Sequence, residues 1–355
     1  MNNNEISING RLIGKNHPPY IIAELSANHN GSINKALDTI TMAKQMGADA
    51  VKIQTYNADT MTIDCDDPDF MIHSGLWQGY NLYQLYQEAH TPYDWHKALY
   101  QHAKNIGITI FSTPFDETAV DLLEELNTPA YKVASFELTD LPLIARIAST
   151  KKPLIMSTGM ASLEEISEAV DTAKQFGCTD LVLLHCISAY PAPVEQCNLS
   201  TIEDLSNRFD VLSGLSDHTL GTTVAIAASS LGASIIEKHV TMSRNEKGPD
   251  SAFSIEPNEL MQLCTSAKIA WQAIGQAGYD TKKSEQDNTR FRRSLYFVQD
   301  IKQGEVITAQ HIRRIRPGFG LAPKHYNKVI GCKVNKDIAR GTAVCWKLIN
   351  KGEGH

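Results

Sequence analysis

Eight short apolar runs recur between residues 20 and 240: IIAELSA, DAVKIQTY, ITIFSTPF, AYKVASFE, PLIMSTGM, LVLLHCIS, VLSGLSDH and SIIEKHV. Nearly every run ends in a polar residue of a type that does chemistry, and most of the stretches between them carry apolar residues at helical spacing. Eight β/α units predict an α/β fold, a closed (β/α)8 TIM barrel, whose active site lies at the C-terminal strand ends. MGADA (46–50) and LGASI (231–235) put Gly where a helix must stop before the next strand. Ser162-Leu163-Glu164-Glu165 fits a capping box, and Thr91-Pro92-Tyr93-Asp94 predicts a Thr N-cap with proline at the first helical position.

One connection breaks the rhythm. From Asn57 to His90 the chain passes through TMTIDCDDPDF and GLWQGYNLYQLYQEAH before the next clear helix. Loops of that length in compact domains are functional or disordered, and Phe70, Trp77, Tyr80, Tyr83 and Tyr86 argue against disorder, because burying them offsets the ordering entropy. The segment reads as a lid over the barrel mouth or as an oligomer contact. A last helix is expected around Pro257 to Ala277, followed by a polar stretch, GYDTKKSEQDNTR (278–290), with linker character. Beyond it DIKQGEVITAQHI (300–312) and DIARGTAVCWKLI (337–349) share Asp, Ile, Gly and a final Ile. They read as two copies of a strand-turn-helix unit, or as chance similarity between hairpin-like segments. The expected organisation is a catalytic barrel over 1–280, a linker over 281–292 and a small domain over 293–355.

With 355 residues, 33 Lys and Arg against 40 Asp and Glu, and no long basic run, the chain offers neither nucleic acid nor an anionic membrane an extended surface. MNNNEISING is polar and no apolar stretch approaches the ~20 residues of a spanning helix, so no secretory signal or anchor is expected. Seven cysteines, odd in number and never in C-x-x-C spacing, indicate neither a disulfide framework nor a thiolate zinc site. A cytoplasmic location is the corresponding expectation.

Three groups of residues carry candidate chemistry. Glu237 and His239 are two apart on the eighth strand and so share a face, while His218 follows the seventh. Two imidazoles on neighbouring strands suit a catalytic cation with open positions, such as Mn, Co, Zn or Mg, near Asp217; the alternative is a pair of ordinary polar residues. Lys52 and Lys132 interrupt otherwise apolar strands, with Lys238 beside the histidines. A buried ammonium needs a counter-charge, so Lys52 and Lys132 read as binders of a phosphate or carboxylate, helped by Thr113, Ser135, Ser157 and Ser216 and by close backbone approach at Gly159; structural pairing and a Schiff-base nucleophile remain the competing readings. Glu24, Gln54 and Glu137 complete a polar ring able to orient hydroxyls or move protons, with Glu24 equally readable as a lysine's counter-charge.

The strings AELSANHNGS, VKIQTY, STPF, YKVASFE, STGM, SAYPAP, GLSDHT and IEKH, in this order, resemble the sialic acid synthase family of phosphoenolpyruvate-condensing enzymes. RSLYFVQDIKQGE and IRPGFGLAPKHY resemble that family's β-rich C-terminal antifreeze-like (SAF) domain. The resemblance implies a homodimer in which one subunit's SAF domain caps its partner's barrel. TMTIDCDDPDF with GLWQGYNLYQLYQEAHTPYDWH looks like the pseudaminic acid synthase branch, which implies 2,4-diacetamido-2,4,6-trideoxy-altropyranose as co-substrate; N-acetylneuraminate and legionaminate synthases are the alternatives within the family.

By the same resemblance His218 and His239 hold a divalent ion, Mn2+ ahead of Mg2+ or Co2+. Lys52, Thr113, Lys132, Ser135, Ser157 and Ser216 meet phosphoenolpyruvate, and Glu24, Gln54, Glu137, Tyr190, Asp250 and the cap's Arg316 meet the sugar. Glu137 is the first choice for proton transfer, with Glu237 as substitute. Ser188 stands where neuraminate synthases carry Asn, a departure in the sugar-reading motif. The implied reaction joins C3 of phosphoenolpyruvate to the sugar aldehyde, adds water at C2 and releases phosphate by C–O cleavage. Outside the family, a Schiff-base aldolase or a non-catalytic sugar-binding barrel would use the same fold.

Overall fold

The computed structural model describes residues 5–350 and divides into two compact units, Met1–Gly275 and Gln276–His355. In the first, an antiparallel hairpin of β1 (Glu5–Ile8) and β2 (Arg11–Gly14) precedes eight parallel strands: β3 (Tyr20–Glu24), β4 (Ala50–Thr55), β5 (Thr109–Pro114), β6 (Tyr131–Val133), β7 (Leu154–Ser157), β8 (Leu181–Cys186), β9 (Leu212–Asp217) and β10 (Ile235–His239). They pair in chain order, and β10 closes on β3 with Ile235 opposite Tyr20 and His239 opposite Glu24. Two apolar layers follow from strand alternation. Outward residues such as Ile21, Val51, Val133 and Leu183 pack under the surrounding helices, while Tyr20, Ile22, Ala50, Phe111, Ile155, Val182 and Leu184 fill the barrel. Ile6, Ile8 and Ile13 of the hairpin join that inner cluster, and Asn9 reaches Thr109 at the start of β5, so the hairpin stops the lower end.

Local chemistry explains the element boundaries. Ser32 caps the helix Ile33–Met46, which ends on Gly47 at φ 95°, a left-handed conformation that glycine adopts without Cβ strain. Ser162 and Glu165 make both bonds of the expected capping box. The expected Thr91 cap does not form: Pro92 occupies the cap position without a side-chain bond, and Thr91 Oγ1 is buried without a partner. The 57–90 connection is not a bare loop, because it contains helices Ala58–Met61 and Leu82–Ala89, the first closed by an Asn57/Thr60 capping box and the second capped by Asn81. The last barrel helix runs Pro257–Ile274.

The second unit begins with a 3-10 helix, Lys283–Phe291, where the polar stretch suggested linker. It contains the pairs β11 (Ser294–Phe297) with β12 (Ile312–Ile315) and β13 (Lys333–Val334) with β14 (Ile349–Asn350), around Leu295, Phe297, Ile307, Ile312, Val344 and Ile349. The two repeated segments pair with each other: Ile301 and Ile338 exchange backbone bonds, Asp337 accepts from Gln303 N and Asp300 from Arg340 N. The second copy ends in a 3-10 turn and β14 and the first in β12, so the expected α-helix is absent from both. The units also differ in charge. Up to Gly275 the sequence has 33 Asp and Glu against 17 Lys and Arg, and beyond it 7 against 16, so the overall −7 combines −16 with +9.

Candidate active site

The same alternation that fills the barrel builds the site one tier higher. Glu24 ends β3, Lys52 and Gln54 face inward from β4, and Lys132, Ser157, Cys186, Ser216, Glu237 and His239 stand on β6 to β10. Register brings Glu24 beside Lys52 and His239, Gln54 beside Thr113, and Glu237 beside Ser216. A cavity of about 400 Å³ opens above them, lined among others by Lys52, Gln54, Lys132, Ser135, Glu137, Ser157, Tyr190, Ser216, His218, Glu237, His239 and Asp250.

Four buried ionisable groups form its floor and the layer just behind it. Lys52 Nζ lies 2.8 Å from Glu24 and donates to Thr113 at 3.0 Å, and both Lys52 and Lys132 lie 3.7 Å from one oxygen, Glu237 Oε1. Burial alone depresses an ammonium. For Lys52 the carboxylates of Glu237 and Glu24 outweigh that effect and hold its pKa above the ordinary value; for Lys132 burial prevails, with Lys52 adding to it, and the pKa falls. Burial raises the Glu24 carboxyl against the pull of Lys52, whereas the Glu237 carboxyl, also penalised by burial, is held down by Lys132 and Lys52. Lys132 Nζ makes one hydrogen bond among the described residues, to Val133 O, although an ammonium has three donors. Beside it Ser157 Oγ is buried without a partner, and Gly159 N donates to Ser135 Oγ. A Cβ at Gly159 would sit 2.2 Å from Ser188 Oγ, so only glycine leaves this corner open.

Across the cavity the His218 and His239 rings lie 5.4 Å apart. His218 Nδ1 is engaged by Ile187 O at 3.0 Å and approached by Cys186 Sγ at 3.7 Å, which leaves the other ring nitrogen for a ligand. His239 Nδ1 is buried without a hydrogen-bond partner, and burial and then His218 push its pKa well below the usual imidazole value, so the ring is neutral, the ligating form. No group of three or more His, Cys, Asp or Glu that would hold a metal occurs among the described residues. The unpartnered His239 Nδ1 and the free nitrogen of His218 on neighbouring rings fit a cation held by two imidazoles, with its remaining positions left to water or substrate oxygens.

Glu137 lies in a short 3-10 turn after β6. Its Oε2 is buried without a partner, and burial pushes the carboxyl up to about 7 against the pull of Lys132. Asp250, raised by burial, receives a hydrogen bond from Ser26. Gln54 donates to Glu24 at 3.0 Å and to Ser26 at 2.9 Å, and Asn28 ties its loop to the 240–254 segment through Val240 O and Ser254. Tyr190 stacks 4.4 Å from His218, and Trp77 of the 57–90 segment packs 5.5 Å from Tyr190 while donating to Pro249 O. That segment thus lies over the barrel mouth.

Some predicted residues stand elsewhere. Glu24 and Thr113 lie behind Lys52 and Gln54, and Ser188 sits against Cys186 and Gly159; none of the three lines the cavity. Arg316 belongs to the second unit, just after β12. Asp217 and Lys238 do not join the histidines: alternation turns them outward, where they form a fully buried ion pair at 2.8 Å, with Lys238 also donating to Thr219 O. Cys186 and Ser26 were not predicted. Burial raises the Cys186 thiol, but His218, Ser135 and Lys132 bring it down to about 7; its position as the last inward residue of β8 was the available signal.

Comparison with known proteins agrees with this architecture. The NeuB family matches residues 39–279 and the SAF domain residues 292–350. Pseudaminic acid synthase of Campylobacter jejuni is 42% identical over 325 residues, 92% of this chain and 95% of the relative. Pseudaminic acid synthase of Helicobacter pylori is 42% identical over 326 residues, 92% and 96% of the two chains. The crystal structure of N-acetylneuraminic acid (sialic acid) synthetase from Leptospira borgpetersenii superposes with a TM-score of 0.72 at 32% identity, covering 80% of this chain and 94% of the other. With its barrel, charged floor and small domain all accounted for, the chain belongs to the NeuB family, the sialic acid synthases that its motifs resemble.

Proposed function

We propose that this protein is a pseudaminic acid synthase, condensing phosphoenolpyruvate with open-chain 2,4-diacetamido-2,4,6-trideoxy-altropyranose and releasing phosphate. The observation that carries the reading is Lys132: a buried ammonium with unused donors, beside the unpartnered Ser157 hydroxyl, is a prepared anion site facing two imidazoles across one cavity. The 42% identity to pseudaminic acid synthases over most of the chain supports the choice of sugar.

Lys52 and Lys132, with Ser135, Ser157 and Ser216, bind the phosphate and carboxylate of phosphoenolpyruvate, while Thr113 steadies Lys52 from behind and Glu24 and Glu237 hold Lys52 charged. His218 and His239 would hold a divalent cation, Mn2+ ahead of Mg2+ or Co2+, which would supply Lewis-acid polarisation of the sugar aldehyde. Gln54, Tyr190 and Asp250 hold the sugar so that its C1 meets C3 of phosphoenolpyruvate. Glu137, poised near neutrality, gives its proton to the former aldehyde oxygen as the C–C bond forms. Water adds at C2, giving its proton back to the Glu137 carboxylate, and the C2–O bond to phosphate then breaks as the C2 hydroxyl proton leaves with phosphate, giving the new keto acid.

The enzyme works as a homodimer in the cytoplasm, each small unit capping the partner's barrel and bringing Arg316 to its sugar. Exposed Phe136, Met160, Val194 and Leu220, on the loops after β6, β7, β8 and β9, support a covered rim, and the opposite charges of the two units support their attraction. No helix among the described residues is long and apolar enough to cross a membrane, and all seven cysteines are free. Phosphate release is the test, with N-acetylmannosamine, the diacetamido-trideoxy-altrose and its legionaminate counterpart as sugars: the altrose should be turned over fastest, and preference for either other sugar overturns the assignment. The depressed pKa of Lys132 favours one rival, a Schiff-base aldolase. That rival keeps activity in EDTA and is trapped by borohydride with substrate, whereas the proposed synthase loses activity and is not trapped.

A further inference from the structure

The lid segment sorts its side chains by polarity across its two sides. Residues 57–90 carry six carboxylates, Asp59, Asp64, Asp66, Asp67, Asp69 and Glu88, and none lines the cavity. Asp59 and Glu88 instead accept from the exposed hydroxyls of Tyr83 and Tyr80. What the segment turns inward is apolar or aromatic: Met61, Ile72, Leu82, Leu85 and Tyr86, with the Trp77 N–H already given to Pro249 O. The cavity therefore has a charged floor of strand residues and a largely apolar ceiling of lid residues, whose polar exception, the Tyr86 hydroxyl, feels Glu137.

A ligand filling it must be polar at one end and apolar at the other. Phosphoenolpyruvate has no apolar end. The sugar's aldehyde carbon must reach the floor to react, so the opposite end of its open chain rises toward the lid. A hydroxyl there would lose water and gain no partner among Met61, Ile72, Leu82 and Leu85, whereas a methyl would gain burial. Resting on the sugar proposed above, we propose that this ceiling is the specificity determinant for the 6-deoxy end, receiving the C6 methyl and disfavouring a C6 hydroxymethyl.

The test compares kcat/KM for two diacetamido sugars that differ only in carrying methyl or hydroxymethyl at C6, using the full-length enzyme with divalent cation and phosphoenolpyruvate. An apolar pocket discriminates such a pair by ~10–100-fold, and the wild type should prefer the methyl sugar by that factor. Leu82→Asn, close in shape but polar, should cut the preference about tenfold while leaving the KM for phosphoenolpyruvate unchanged, and Leu82→Met should retain it. Met61→Gln gives the same comparison from a second position if Leu82→Asn fails to fold. An unchanged preference in a folded Asn or Gln variant, or none in the wild type, overturns the ceiling's role with the sugar assignment intact. Turnover of N-acetylmannosamine but of neither diacetamido sugar overturns the sugar assignment first and the ceiling's role with it.

Discussion

Glu137→Gln removes a carboxyl whose ionisation the folded protein resists. The ordinary value is 4.5 and burial lifts it to about 7, so between these limits the folded chain holds a proton that the unfolded chain has lost. The sign follows. The contribution is fully present below the unfolded value and disappears as pH climbs through about 7, where the folded state must keep a largely buried carboxylate charged. At about 1.4 kcal/mol per pKa unit, the interval amounts to roughly 3 kcal/mol. Glutamine keeps the shape and cannot ionise, so the variant's stability lacks that decline. Urea unfolding of both proteins at steps from about pH 5 to about pH 8.5 should show the variant gaining on the wild type by roughly 3 kcal/mol and levelling off above about pH 8. Activity supplies a second readout. A proton donor poised near 7 makes wild-type kcat/KM fall at alkaline pH, and its loss costs about a hundredfold or more. Parallel stability curves would show that Glu137 ionises freely in the fold, and an unshifted pH–rate profile would remove it from proton transfer.

His239→Ala should leave the fold intact, lower affinity for Mn2+ in calorimetry and reduce turnover by about a thousandfold or more; retained activity would take the cation out of the chemistry. Arg316→Ala should raise KM for the sugar far more than KM for phosphoenolpyruvate, and equal effects on both would argue against its role in the cap. If the proposed dimer sets the +9 small unit on a partner's −16 barrel, its affinity in ultracentrifugation should weaken about tenfold between about 50 and about 500 mM salt, and a salt-independent dimer would point to apolar contacts alone. Lys238→Met strands a buried Asp217 carboxylate, so denaturation should show a loss of about 3–5 kcal/mol, while a change below about 1 kcal/mol would mean that the pair is dispensable.

Strand periodicity made the barrel legible, because each run was short, apolar and closed by turn chemistry. The same periodicity brought Lys52, Lys132, Glu237 and His239 to one cavity. Where proximity in sequence replaced periodicity, the reading failed: Lys238 adjoins both Glu237 and His239 in the chain, yet the pleat turns it to the opposite side of the sheet, against Asp217. The partnership of Ser26 with Asp250 spans more than two hundred residues and left no local signal. Cys186 was hidden by its type, since a cysteine ending an apolar strand reads as core until its neighbours Ser135, His218 and Lys132 are known. The charge difference between the two units was present in the composition but disappeared in the total of −7. Within the small unit, the reciprocal bonds that Asp300 and Asp337 accept and the Ile301–Ile338 backbone pairing account for the repeated Asp-Ile.

The hairpin at the foot of the barrel turns the catalytic chamber into a dead-end well. Ile6, Ile8 and Ile13 cork the shaft with hydrocarbon, so no traveller, whether water, ion, substrate or product, passes through from below. Both reactants descend by one route beneath the lid, and phosphate and the finished acid climb back along it. On the proposed placement phosphoenolpyruvate lies beneath the sugar, so initial-rate kinetics should show it binding first.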